Sequence, residues 1–177
     1  YEINQVTGPD EWHEPVNNNL YTNYLARWNL KYVLSLLEVM KKEETSSYNE
    51  LVEKTGLTEM ETAKWKEVQE KIYLPRKEGT KLLEQFEGYF ELDNVTIEKY
   101  DENDWPIRPE ALKTKKAKET QINKQADVVM LLHLMGNEFD DETIKENYAY
   151  YEKRTLHGSS LSPSIYSVMG LKVGDDS

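Results

Sequence analysis

A run of apolar and aromatic residues at helical spacing is the feature that most constrains the fold of this chain. From residue 20 onward, such side chains recur at steps of three and four residues, the period of one face of an α-helix. The series is Leu20, Tyr21, Tyr24, Leu25, Trp28, Tyr32, Leu36 and Val39. Asn18 or Asn19 supplies a suitable N-cap in front of it. The pattern predicts a long helix that reaches Met40.

Capping residues and periodicity predict further helices. "SSYNELVEKTG" stops at Gly56, and "TEMETAKWKEVQEKI" opens with the capping-box pair Thr58 and Glu61. "TQINKQADVVMLLHLMG" and "DDETIKENYAYYEKR" follow, and the apolar run around His133 predicts a core histidine. In "LSPSIYSVMG", Pro163 is expected at the first helical position, directly after an N-cap serine.

The region between the third and fourth of these helices is irregular. Residues 86–100 alternate aromatic and polar side chains around a glycine, which indicates short β pieces or a long loop. A loop of this length in a compact domain is usually functional, so we expect it to border a site. The predicted fold class is all-α with long connections.

Composition limits the partners of the chain. Its 177 residues fit one domain, and the formal net charge is −11. No nucleic-acid partner is expected, because binding a polyanion needs clustered Lys and Arg. No apolar run approaches the length that spans a bilayer, so no membrane partner is expected. The chain has no cysteine and no His spacing typical of a metal motif, so we predict a cytoplasmic protein without a metal site.

The opening loop "VTGPDEWHEPVNNN" places acidic residues among aromatic ones. Glycosyl transfer needs a carboxylic acid that protonates the departing sugar oxygen, held in an apolar setting near neutral pH. Glu11, beside Trp12 and behind the Gly8–Pro9 turn, fits that need. The alternative is that Asp10 and Glu11 only decorate a turn.

A second stretch, "RTLHGSSLSPS", has the residues of an anion site. Gly158 allows close backbone approach, Ser159 and Ser160 supply donors, His157 can add positive charge, and a helix N-terminus follows. A serine-rich helix entry without a ligand is the competing interpretation. Trp105 could stack on a sugar.

Five motifs occur in one order along almost the whole chain. They are "TGPDEWHEPVNNNLYTNYLARWNLK", "FEGYF", "TQINKQADVVMLLHLM", "NYAYYEKRTLHGSSLSPSIYS" and "MGLKVGD". Together they resemble the inverting α-glucoside phosphorylases of glycoside hydrolase family 65, the group of maltose, trehalose, kojibiose and nigerose phosphorylases. The resemblance implies that residues 1–177 form the second, C-terminal half of an (α/α)6-barrel catalytic domain. We expect a fragment of a longer multidomain chain, which fits a sequence that starts at Tyr1 without a Met.

The resemblance also implies roles for individual residues. Glu11 in "GPDE" matches the general acid, and Lys124 and Gln125 in "NKQADV" match residues that bind the transferred glucose. His13 and Glu14 fall where residues near the sugar cleft are expected. The phosphate site matches His157, Ser159 and Ser160, although "HGSS" departs from the "HDSS" of many relatives.

The expected activity is phosphorolysis of an α-linked glucose disaccharide to β-glucose 1-phosphate, with inorganic phosphate as co-substrate and no cofactor. A hydrolase of the same fold would need a base carboxylate, for which Glu152 is the nearest in sequence. A non-catalytic helical or carbohydrate-binding piece is the third possibility, since the isolated chain is expected to be inactive. A homodimer, or association with the rest of its own chain, is also expected.

Overall fold

The fold, seen in a computed structural model that describes residues 1–175, is built from six α-helices. They are α1 (Leu20–Glu43), α2 (Thr45–Thr55), α3 (Glu59–Lys71), α4 (Val128–Leu134), α5 (Asp141–Glu152) and α6 (Leu161–Val173). Short 3₁₀ turns lie at Tyr89–Glu91, Glu110–Lys113, Ala117–Glu119 and Gly136–Glu138. The predicted all-α class is confirmed. None of the helices in residues 1–175 is long and apolar enough to cross a membrane.

The β pieces predicted around residues 86–100 are single bridges. Asp93 pairs with Thr120, and Tyr100 pairs with Pro106. Within residues 1–175 no pairing extends into a β-strand. The long connection from α3 to α4 instead folds through 3₁₀ turns and hydrogen bonds to its neighbours, as in the Tyr89 N–H that donates to Phe86 at 3.0 Å.

The chain divides into two compact units. The smaller comprises Tyr1–Glu2 and Thr22–Leu74, and so holds most of α1 together with α2 and α3. In it the Tyr73 N–H donates to the Tyr1 carbonyl at 2.8 Å, and Gly56 ends α2 with a left-handed φ of 69°. The predicted capping box of Thr58 and Glu61 is present at α3.

The larger unit comprises Ile3–Tyr21 and the chain from Pro75 onward. Helices α4, α5 and α6 pack against one another there. The long connection supplies Ile97, Leu112 and Ile122 to an apolar cluster that Leu156 completes, and Trp12 of the opening loop packs against it. This cluster joins the opening loop, the long connection and the segment after α5.

Two helices begin at other residues than the sequence predicts. Helix α4 starts only at Val128, because the backbone groups of Asn123 and Lys124 bond to the chain after α5 instead of forming helical hydrogen bonds. Helix α6 starts at Leu161 after Ser160, so Pro163 lies within the first turn, where its missing N–H has no intrahelical partner to lose. His133, expected in the core, is exposed on the seven-residue α4.

Candidate active site

Two segments that are far apart in sequence lie side by side at the centre of the candidate site. Asn123 and Thr155 form a parallel bridge. The Asn123 N–H donates to the Arg154 carbonyl at 2.7 Å, and the Leu156 N–H donates back to the Asn123 carbonyl at 2.9 Å. One step further, the Gly158 N–H donates to the Lys124 carbonyl at 2.7 Å. This pairing sets the predicted glucose-binding residues beside the predicted phosphate site.

The opening loop joins the same place through three contacts. The Lys124 N–H donates to Asp10 Oδ1 at 2.8 Å, and Gln125 Nε2 donates to the Pro9 carbonyl at 2.6 Å. The Lys124 ammonium forms an ion pair with the Glu11 carboxylate. The structure therefore brings together Glu11, Lys124 and the segment that begins at His157.

The Glu11–Lys124 pair lies at the surface of the larger unit. The Glu11 side chain is 55% exposed, and that of Lys124 is 27% exposed. Gly158 leaves room for the lysine, because a Cβ at this position would lie 3.1 Å from Lys124 Cγ. A bound substrate can therefore reach the carboxyl group of Glu11.

His157 is held in an unusual conformation. Its φ of 51° is left-handed, a strained region for a residue that is not glycine. Its Nδ1 lies 2.9 Å from Ser162 Oγ, and that buried oxygen also accepts the Ala126 N–H at 3.1 Å. The Ser162 hydroxyl thus links the His157 ring to the backbone just before α4.

Burial also determines the charge of His157. Desolvation lowers the pKa of His157 to about 4, so the ring is neutral near pH 7. The positive charge expected from the sequence is thus absent in the ligand-free protein. A neutral imidazole still carries one N–H group, which can donate a hydrogen bond to an anion.

The two predicted phosphate serines lie directly before α6. Ser160 is the N-cap residue of α6, and its side chain makes no capping hydrogen bond. The Ser159 carbonyl accepts the Ser162 N–H at 3.1 Å, which forms the turn into the helix. Both hydroxyl groups therefore lie at a helix N-terminus, where N–H groups and the helix dipole favour an anion.

The other predicted site residues differ in accessibility. Gln125 has a buried Oε1 without a hydrogen-bond partner, although its Nε2 is bonded to Pro9. Glu14 is exposed and accepts the Thr7 hydroxyl at 3.1 Å. His13 is only 3% exposed, and both of its ring nitrogens already have partners, so in this conformation neither can contact a sugar.

The opening loop contributes three residues to a buried polar cluster that the sequence does not reveal. It consists of Asp10, His13, Asn19, Gln85 and Asp127. Asp127 Oδ2 accepts the Asp10 N–H at 3.3 Å and Asn19 Nδ2 at 3.1 Å. Burial, with a smaller contribution from the Asp10 charge, raises the pKa of Asp127 to about 7. The only signal in the sequence is the three-residue spacing of Asp10 and His13.

A cavity of about 490 Å³ is lined in part by His157. Trp105, Glu152 and Tyr166 are among its lining residues. The Trp105 ring, 47% exposed, has its centroid 6.1 Å from that of His157. Burial raises the pKa of Glu152, with a further contribution from the Asp175 charge. Among residues 1–175, no three His, Asp or Glu side chains are grouped so as to hold a metal ion.

Comparison with known proteins places these residues in context. The family model of the glycosyl hydrolase family 65 central catalytic domain matches residues 1–177. A kojibiose phosphorylase of Caldanaerobacter subterraneus subsp. tengcongensis is 57% identical over 175 residues, which are 99% of this chain and 23% of that protein. A nigerose phosphorylase of Lachnoclostridium phytofermentans is 38% identical over 178 residues, covering 96% of this chain and 23% of its own length.

A solved structure agrees with these sequence relationships. A putative kojibiose phosphorylase from the human microbiome superposes with a TM-score of 0.78 at 34% identity. The match covers 98% of this chain and 23% of that protein. The chain thus spans about a quarter of the length of the relatives that it matches.

Proposed function

The chain belongs to glycosyl hydrolase family 65, and on that basis we propose that it carries the general acid and the phosphate site of an inverting disaccharide phosphorylase. In this proposal residues 1–177 form the C-terminal half of an (α/α)6-barrel catalytic domain. The helical fold and the structural neighbour support it. The rest of the protein would complete the glucose subsite, so we expect the isolated chain to be inactive.

One observation carries the proposal. Glu11, Lys124 and the segment from His157 to Ser160 come from three separate parts of the sequence. The Lys124 backbone joins them, because its N–H donates to the side chain of Asp10 and its carbonyl accepts the Gly158 N–H. If residues 157–160 only formed a helix entry, no carboxylate would be needed beside them. If Glu11 only belonged to a turn, no anion site would be needed near it. The proximity of all three supports a single catalytic site.

The chemistry requires one acid and one bound anion. Phosphate, held by His157 Nε2 and the Ser159 and Ser160 hydroxyls, attacks the anomeric carbon from the face opposite the leaving group. The bond to the departing oxygen breaks as Glu11 transfers its proton to that oxygen. The products are β-glucose 1-phosphate, the released sugar and a Glu11 carboxylate, which Lys124 then pairs with. No second carboxylate is needed, since phosphate is already an anionic nucleophile.

Gln125 and Lys124 are proposed to bind the transferred glucose. Gln125 Oε1 is buried and has no hydrogen-bond partner, so its side chain would have to rotate toward the cleft before a sugar hydroxyl could donate to it, and that bond would satisfy the acceptor. Glu14 is accessible enough to contact the sugar. Trp105, beside His157, can pack on a sugar ring. We assign His13 a different role below.

Kojibiose is the disaccharide we propose first. Three kojibiose phosphorylases are 57%, 56% and 42% identical to this chain, whereas a nigerose phosphorylase is 38% and a maltose phosphorylase 31% identical. We further propose a cytoplasmic location, where inorganic phosphate and sugar phosphates are metabolised, and a homodimer or other association of the complete protein.

A hydrolase is the second candidate, and one observation favours it. Glu152 lines a cavity together with His157, and a base carboxylate beside the nucleophile site is what water activation requires. A water-activating enzyme would release free glucose whether or not phosphate is present.

Proton NMR of the full-length protein with kojibiose, with and without phosphate, tests the proposal. The proposal predicts a new β-anomeric signal of glucose 1-phosphate only when phosphate is present. Phosphate-independent release of glucose would assign the hydrolase instead. Comparison with nigerose, trehalose and maltose under the same conditions tests the choice of substrate.

A further inference from the structure

We propose that the buried pair Asp10–His13 is a positioning device for the general acid, which fixes the loop of Glu11 against the glucose-binding segment. The inference rests on the proposed function, because it takes Glu11 as the acid. Neither residue of the pair is proposed to touch substrate. They act by holding the backbone on either side of Glu11.

The two members of the pair are removed from solvent and held closely together. His13 Nδ1 lies 2.5 Å from Asp10 Oδ2, and the side chains are 1% and 0% exposed. On the other side of the ring, His13 Nε2 lies 2.8 Å from the Thr120 carbonyl oxygen. A carbonyl only accepts, so Nε2 donates to Thr120 and Nδ1 faces the Asp10 carboxyl group.

Asp10 connects the pair to the glucose-binding segment. Its Oδ1 accepts the Lys124 N–H at 2.8 Å, and its Oδ2 also accepts Gln85 Nε2 at 3.3 Å. One carboxylate therefore links the opening loop, the long connection and the segment of Lys124. A charge-assisted hydrogen bond from a backbone N–H has a fixed direction, so it sets the register of the two segments.

The surroundings leave the loop little freedom. Phe86 and Tyr89 pack on the His13 ring with centroids at 5.3 and 5.9 Å. At the other end, the Pro9 carbonyl accepts Gln125 Nε2 at 2.6 Å. Glu11 lies between these fixed points, although its own side chain is 55% exposed. The position of an exposed acid is thus set by buried neighbours.

A displaced acid has a particular kinetic signature. General acid catalysis contributes about 10²–10⁴-fold to rate, and it matters only when the leaving oxygen needs a proton. Fluoride departs from α-glucosyl fluoride as an anion and needs little help from an acid. A variant with a misplaced Glu11 should therefore lose activity on kojibiose and retain it on the fluoride.

The test uses His13→Gln and Asp10→Asn in the full-length protein, with phosphate as nucleophile. We expect kcat on kojibiose to fall by about 10- to 100-fold for either variant, since a misplacement of about 1 Å can cost about 10²-fold. On α-glucosyl fluoride we expect kcat within about threefold of the parent protein, well inside the range that acid catalysis spans. Two variants are made because either one, if it folds, tests the proposal. The kcat values are calculated per amount of folded protein.

Asn147→Ala is the matched control. Asn147 is also fully buried and hydrogen-bonded in the larger unit, to Lys81, Leu83 and Thr143, but it contacts neither the acid loop nor Lys124. Asn147→Ala should lower the melting temperature, and it should change kcat on kojibiose and kcat on α-glucosyl fluoride by the same factor. An equal loss on both substrates for His13→Gln and Asp10→Asn would overturn the positioning role, and so would unchanged activity on kojibiose. If Glu11→Gln itself keeps full activity, the proposed function fails as well, and the two failures are thereby distinguished.

Discussion

The Lys124 ammonium pairs with the Glu11 carboxylate across 113 positions of sequence. The contact joins the opening loop to a residue whose carbonyl accepts the Gly158 N–H in the chain that leads into α6. A carboxyl group, a cation and a helix N-terminus thus share one region of the larger unit.

Replacing the acid should abolish turnover of ordinary disaccharides. Glu11→Gln keeps the shape of the side chain and removes its proton, so kcat on kojibiose should fall by about 10²–10⁴-fold. The melting temperature should be unchanged, because the Glu11 side chain is largely exposed. Steady-state kinetics and thermal melting measure both quantities.

Glu110→Gln is the control for that substitution. Glu110 is also an exposed carboxylate paired with a lysine, Lys113, and it lies outside the proposed site. It should leave kcat unchanged. Turnover by Glu11→Gln at the level of this control would exclude Glu11 as the acid.

Removing the two serine hydroxyls should weaken phosphate binding. A hydrogen bond to a charged group is worth about 1.5–3 kcal/mol, so Ser159→Ala with Ser160→Ala should raise the KM for phosphate by at least about tenfold. The matched control is Ser164→Ala with Ser167→Ala, whose hydroxyls bond only to carbonyls within α6. Equal KM values for phosphate in the two double variants would mean that Ser159 and Ser160 form only a helix entry and do not bind phosphate.

Gly8 should tolerate no side chain. A Cβ at this position would lie 2.6 Å from Asp127 Oδ2, inside the buried polar cluster. Gly8→Ala should lower the free energy of unfolding by about 1–3 kcal/mol, the usual cost of overpacking, and should lower kcat by moving the acid loop.

Gly136→Ala offers the comparison, because its new Cβ would meet only the terminal Nζ of Lys172, which can move away. Denaturant unfolding and kinetics of both variants give the answer. A Gly8→Ala protein as stable as Gly136→Ala would contradict the packing described for the loop.

The low pKa of His157 predicts a particular dependence of stability on pH. Burial lowers the pKa to about 4 in the folded protein from 6.5 in the unfolded chain. Between these values the unfolded chain binds a proton that the folded protein does not. The stabilisation is therefore complete above about pH 6.5 and is lost as the pH falls toward 4.

His157→Gln should remove this contribution. The fall in melting temperature between pH 7 and pH 5 should be smaller in the variant than in the parent protein, which also controls for the titration of other groups. An identical fall in both proteins would mean that His157 is not buried as a neutral ring.

The sequence predicted the helices that have local signals, but not the segment that forms the site. Gly56 and the pair Thr58 and Glu61 mark helix ends by backbone conformation and capping, which act within a few residues. The segment 120–126 has helical composition, yet it is not helical, because Asn123 and Lys124 bond through their backbones to residues 154–158. Such long-range pairing has no local signal.

The candidate site could be predicted only in part, because the directions of its side chains also depend on long-range contacts. Resemblance of motifs identified Glu11, Lys124 and His157, which the structure brings together. It assigned His13 to the cleft, because its neighbours in the sequence are site residues. The direction of the side chain, into a pocket formed by Phe86, Tyr89 and the Thr120 carbonyl, depends on parts of the chain more than 70 residues away.

The position of bound phosphate tests the central claim most directly. We would determine the crystal structure of the full-length protein with phosphate and glucose. The account predicts phosphate within hydrogen-bonding distance of His157 Nε2 and the hydroxyls of Ser159 and Ser160, with Glu11 on the opposite side of the anomeric carbon. Phosphate bound elsewhere, with these three residues making no contact to it, would contradict the account.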